Sequence, residues 1–165
     1  MIILGIDPGT RFSGYAILKK ENGSVFLLQH GLLKFCAQNP LSARILEFHD
    51  NFEHIIKSFN VTDLSLETPF LGKNAQNFMK LGYLRGILYL LAQKNKINIF
   101  EFTPREVKVA ITGFGGASKE QVAVMVQRMF PGLTDIKRDD VTDALAISLC
   151  ALWDKRLRAV CERSI

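Results

Sequence analysis

The sequence predicts an α/β fold in which an antiparallel meander feeds a mixed sheet with helices on its faces. Three observations carry this. Short apolar runs bounded by turn residues follow one another over roughly the first 35 positions. Further on, stretches with apolar residues three and four apart alternate with short apolar runs, the pattern of strands joined by helices. No repeat period and no linker interrupts that order.

Met1–Asp7 is an apolar run closed by Asp7-Pro8-Gly9-Thr10, a strand and its turn. Gly14–Lys19 and Val25–Phe35 are two more strands, with Glu21-Asn22-Gly23-Ser24 as the hairpin turn between them. Ile45, Phe48, Phe52, Ile55, Ile56 and Phe59 then fall on one face of an amphipathic helix, introduced by Asn39-Pro40 and Ser42. Asp63–Glu67 is a short strand, about Ala75 to Gln93 a long helix, and Ile97–Phe102 another strand. Thr103 caps a short helix that Pro104 opens, since the first helical position needs no N–H partner. Gly113-Phe114-Gly115-Gly116 is a flexible loop, and Ser118 caps a helix that ends at Phe130-Pro131-Gly132. The last helix begins near Asp139 and Asp140 and runs to about Arg158.

With 165 residues, 48% of them hydrophobic and 22% charged, the chain suits one compact domain. That composition excludes a disordered protein, and the length argues against a two-domain enzyme. The expected domain spans residues 1–158, with 159–165 as a C-terminal tail. The net charge of +5 is unevenly placed. Residues 68–128 hold nine basic and three acidic side chains, a local excess of +6, while the remainder is −1. A basic segment of this kind suggests a polyanionic partner; solvated helix faces are the plainer alternative. The start lacks the features of a signal peptide, and no apolar run approaches a membrane span. Cys36, Cys150 and Cys161 lack the spacing of a disulfide framework or a zinc site. The expectation is a cytoplasmic protein.

Four carboxylates carry the chemistry. Asp7 and Glu67 each close a strand, although acidic residues are poor strand formers. Asp140 and Asp143 lie three apart on the last helix and point the same way; Asp139 and Asp143, four apart, would also share a face. Each has a bland alternative: a turn at Asp7, a surface ion pair at Glu67, a cap and first-turn acid at Asp140 and Asp143. Together they bring acids from three elements toward one end of one sheet, where α/β folds gather ligands. Clustered carboxylates repel unless cations neutralise them, and oxygen ligation suits Mg²⁺. Two such ions, about 4 Å apart, serve phosphodiester cleavage. Beside a basic flank, that describes a nuclease.

These residues resemble the RuvC family of Holliday junction resolvases, in the RNase H-like superfamily. The run from Ile3 through Asp7-Pro8-Gly9-Thr10-Arg11 to Gly14-Tyr15 is similar to the family's first motif. Glu67-Thr68-Pro69-Phe70 with Lys73-Asn74 is similar to the second, and Leu81-Gly82 with Arg85-Gly86 to the helix after it. Gly113, Gly115, Ala117, Lys119, Gln121 and Val122 follow the family's glycine loop and next helix; Asp140, Asp143, Ala144, Leu145 and Ala146 follow the last motif. Actin-like ATPases and sugar kinases also use Asp-x-Gly-Thr, so the first motif alone is weak; five in order, from residue 2 to about 147, are specific.

The resemblance implies an RNase H-like α/β fold with a five-stranded mixed sheet, its second strand antiparallel, flanked by helices. It implies Asp7, Glu67, Asp140 and Asp143 as metal-binding and catalytic carboxylates, with Mg²⁺ as cofactor, two ions per site, and Mn²⁺ able to substitute. It implies a homodimer that nicks two opposing strands of a four-way DNA junction, with a RuvA–RuvB branch-migration complex as partner. Lys119 is expected to stabilise developing phosphate charge. Lys73, Arg85, Arg105 and Lys108 are candidate phosphate contacts, and Gly113, Gly115 and Gly116 would let the backbone approach DNA. Phe70 is a candidate to stack on an unpaired base. Gly82 and Gly86 permit close helix approach, at a dimer interface or against the sheet. Two other classes stay open at this point: a phosphate-binding ATPase of the actin-like kind, and a catalytically silent junction-binding protein.

Overall fold

A computed structural model describes residues 1–69, 74–133 and 139–154. The predicted positions Phe70 and Lys73 and the tail 159–165 lie outside the described residues, as does the helix end expected near Arg158.

The chain runs β1 (Ile2–Asp7), β2 (Phe12–Glu21), β3 (Ser24–Lys34), α1 (Leu41–Phe59), β4 (Asp63–Glu67), α2 (Ala75–Asn95), β5 (Asn98–Phe102), α3 (Pro104–Thr112), α4 (Lys119–Met129) and α5 (Asp139–Trp153). The five strands form one sheet in the order β3-β2-β1-β4-β5. β2 runs antiparallel to both its neighbours, whereas β1, β4 and β5 are parallel. This is the mixed sheet expected from the sequence.

Local chemistry accounts for most boundaries. Asn22 and Gly23, at φ 50° and 81°, make the two-residue hairpin turn, and Glu21 pairs with Ser24 across it. Helix α1 starts earlier than Ser42 suggests, because Arg44 N–H already bonds the Pro40 carbonyl at 3.2 Å. Lys96, in the left-handed region at φ 56°, closes α2 and delays β5 to Asn98. Reciprocal capping boxes, Thr103 with Glu106 and Ser118 with Gln121, open α3 and α4.

Strand alternation divides the interior into two cores. Leu4, Ile6, Tyr15, Ile17, Leu64 and Leu66 join Phe48, Phe52, Leu84, Leu88 and Leu91 of α1 and α2. Ile3, Ala16 and Leu18 meet α3, α4 and α5 on the other face. Each fully buried side chain of this size contributes roughly 1.5–3 kcal/mol.

Helix α5 lies flat on the second face because the sheet beneath it has glycines. A Cβ on Gly5 would sit 2.1 Å from Ser148 Oγ, and one on Gly14 would sit 2.0 Å from the Asp140 carbonyl oxygen. Hydroxyls complete the seam: Ser65 Oγ donates to Ile147 O at 2.8 Å, and Ser148 Oγ lies 3.3 Å from Ala16 O. The start of α5 is thereby set against the end of β1.

Candidate active site

Ile6 stands beside Leu66 in the parallel register of β1 and β4, so Asp7 and Glu67 close neighbouring strands at the same end. Ile6 and Leu66 point into the α1/α2 core, and alternation turns Asp7 and Glu67 to the α5 face. There they meet Asp143 of α5, Lys108 of α3 and Lys119 of α4 around one cleft of about 350 Å³. Asp140 is half-buried above Gly14, the cross-strand neighbour of Asp7, while Asp139 is exposed. The helix spacing leaves Asp139 and Asp140 equivalent; burial favours Asp140.

The electrostatics bind these groups into one site. Burial, then the charges of Asp143, Asp140 and Glu67, push the Asp7 carboxyl up to about 7, against a smaller opposing effect of Lys119. Burial and Asp143 likewise raise Glu67, with Lys119 and Lys108 pulling the other way. Asp143 is raised by burial, although Lys119 opposes this. Lys119 Nζ donates to Asp143 Oδ2 at 3.1 Å, and that carboxylate raises the lysine's own pKa. No three potential ligand groups among the described residues converge on one point; the carboxylates line the cleft apart from one another. The donor set nevertheless fits a hard divalent cation. It consists of carboxylate oxygens, it carries more negative charge than Lys119 offsets, and it lies at the C-terminal edge of the sheet.

The basic residues divide. Lys108 and Lys119 line the cleft, and Arg105 is exposed on α3. Arg85, the other basic residue in the cleft lining, also engages the protein itself. It is only 7% exposed, its Nη1 donates to the Glu67 carbonyl at 2.7 Å, and its Nη2 pairs with Glu101. The loop glycines also have internal uses. Gly113 caps α3 at φ 76°, while Gly115 leaves room for the Arg105 side chain and Gly116 for the Phe114 ring. Gly82 and Gly86 are exposed with open space where a side chain would go, which removes packing against the sheet as their purpose.

Sequence reasoning missed Glu101 and the spacing role of Gly14. Both carry a legible signal, an acid inside a short apolar strand and a glycine in a strand interior.

A family model for crossover junction endodeoxyribonuclease RuvC matches residues 3–151. The chain is 41% identical over 152 residues to crossover junction endodeoxyribonuclease RuvC of Chlorobium phaeobacteroides, covering 92% of this chain and 81% of that protein. The RuvC structure from Thermus thermophilus matches with a TM-score of 0.83 and 28% identity, over 96% of this chain and 97% of that one. T. thermophilus RuvC in complex with a Holliday junction substrate also gives 0.83, at 26% identity, over 95% and 96% of the two chains.

Proposed function

This chain belongs to the RuvC family of crossover junction endodeoxyribonucleases, and from that premise we propose how its cleft cuts DNA. It is a hydrolase that acts on Holliday junction DNA. Asp7, Glu67, Asp140 and Asp143 hold two Mg²⁺ ions per site, with Mn²⁺ able to substitute. The observation that carries this is the convergence of carboxylates from β1, β4 and α5 on one basic-flanked cleft, with the Asp7 carboxyl raised to about 7. When bound, the ions supply activation of the attacking water and stabilisation of the leaving oxygen.

The protein's own groups do the remaining work. The sheet edge fixes Asp7 and Glu67 side by side, and α5 brings Asp143 over them. Lys119, tied to Asp143, is placed to neutralise phosphate charge as it develops. Lys108 and Arg105 add phosphate affinity that weakens with salt. Phe70 and Lys73 keep the roles the family resemblance gives them.

The enzyme acts as a homodimer whose two clefts nick opposing strands, working with a RuvA–RuvB complex in the cytoplasm as a single nuclease domain over residues 1–158. No helix among the described residues is long and apolar enough to cross a membrane. Met79, Tyr83 and Leu90 are exposed on α2 around Gly82 and Gly86, an apolar stripe suited to a second copy. Leu90→Asp is expected to convert the dimer to a monomer by light scattering and to replace paired incision by single nicks. A variant that stays dimeric would remove α2 from the interface.

The decisive assay compares synthetic four-way junctions with linear duplex, with and without Mg²⁺. Symmetric, Mg²⁺-dependent incision restricted to junctions is expected. A silent junction-binding protein would bind and leave both substrates intact, and ATP turnover would point to the ATPase class.

A further inference from the structure

We propose that Arg85 and Glu101 form a clamp at the border of the active-site cleft that positions Glu67 for metal binding, which makes Arg85 a positioning residue rather than a DNA contact. The inference rests on the reading of Glu67 as a metal ligand.

Strand β4 stops abruptly at Glu67. Thr68 N–H makes a last bond to Phe102 O at 2.8 Å, and Pro69 has no N–H to offer. A carboxylate at such an end would swing with its peptide unless the Glu67 carbonyl were held. Arg85 holds it, through Nη1 at 2.7 Å. The other arm of the same guanidinium is anchored on Glu101 of β5. Glu101 is the register partner of Leu66, which belongs to the same core cluster as Leu84 and Leu88 of α2. Alternation therefore turns the Glu101 side chain to the α1/α2 face, away from the Glu67 carboxylate, and Arg85 reaches it from α2. The guanidinium spans β5 and the end of β4 at the border of the cleft, whose lining includes Arg85 as well as Glu67.

Stability alone is a weak reason for such a pair. Arg85 must be stripped of water to make it while the Glu101 side chain stays 34% exposed, so the ion pair adds little net stability. What an apolar pair cannot do is grip the Glu67 carbonyl, and groups that orient a metal ligand commonly change metal affinity or activity about 10–100-fold.

The test uses the double variant Arg85→Met/Glu101→Leu in the full-length protein, read by thermal melting, junction binding and the Mg²⁺ concentration that half-saturates nicking. The clamp predicts a melt at or above that of the parent, retained junction binding, and a half-saturating Mg²⁺ concentration raised about tenfold. A folded double variant with parental Mg²⁺ dependence and rate overturns the clamp. Arg85→Lys keeps the charge facing Glu101 and covers the case of a double variant that fails to fold. It is expected to raise the Mg²⁺ requirement in the same direction, and parental behaviour in this variant also overturns the proposal. Glu67→Gln separates the two readings. If it is inactive while the double variant behaves as the parent, only the clamp falls. If Glu67→Gln nicks normally, the metal-ligand reading falls.

Discussion

Asp7→Asn is expected to leave four-way junction binding intact and to lower Mg²⁺-supported nicking by about a thousandfold or more, ~4 kcal/mol of transition-state stabilisation. The same substitution should stabilise the metal-free protein. A carboxyl whose pKa is higher folded than unfolded binds its proton more tightly in the fold. Stability is therefore fullest below the unfolded value of 3.8 and declines as pH rises toward about 7, beyond which it is flat. That displacement corresponds to ~4 kcal/mol at neutral pH and above, with the raised Glu67 and Asp143 acting in the same direction. Without metal, the contribution of these groups lowers Tm between pH 5 and pH 8, and Mg²⁺ should restore stability at pH 8 more than at pH 5. Asp7→Asn should remove much of that slope and raise Tm at pH 8 by about 5 °C or more. Calorimetry across pH, with and without Mg²⁺, tests the stability arm; junction nicking tests the other. Joint loss of binding and cleavage with the fold intact would count against a metal role for Asp7.

Gly14→Ala is expected to damage the enzyme through one methyl group. The added Cβ would stand 2.0 Å from the Asp140 carbonyl oxygen and 2.9 Å from the Val141 nitrogen, both backbone atoms that have no rotamer through which to escape. The start of α5 must lift from β2, and overpacking of this kind costs about 1–3 kcal/mol. Activity should suffer more than stability, because the displaced turn carries Asp140 and, one turn on, Asp143. A misplacement near 1 Å can cost about a hundredfold in rate. Denaturant melts and nicking rates measured side by side would check both numbers. A fully active Gly14→Ala protein would show that α5 can tilt without moving its carboxylates.

Much of the site was legible in the residues because its logic is local. Asp7 and Glu67 stand out as acids closing apolar strands, and the Asp140/Asp143 spacing shows on any helical wheel. The strand-end placement and the helix caps at Thr103 and Ser118 are equally local, and the structure has them where expected. What escaped depends on pairing between distant elements. The pairing of Arg85 with Glu101, sixteen residues away, cannot be read from either residue alone. Nor can the packing of the Arg105 and Phe114 side chains against Gly115 and Gly116 be read locally. The family resemblance singles out Asp140, while its half-burial above Gly14 beside an exposed Asp139 is a matter of tertiary packing.

The alternation that turns Asp7 and Glu67 to one side and Ile6 and Leu66 to the other makes the site depend on parity. Deleting one residue from β1 would keep the strand apolar and pairable yet send its carboxylate into the α1/α2 core and its isoleucine into the cleft. Substitutions within these strands change the site by degrees, whereas single-residue insertions or deletions invert it. The phase of β1 and β4, more than the identity of any one apolar residue in them, is therefore what the cleft depends on.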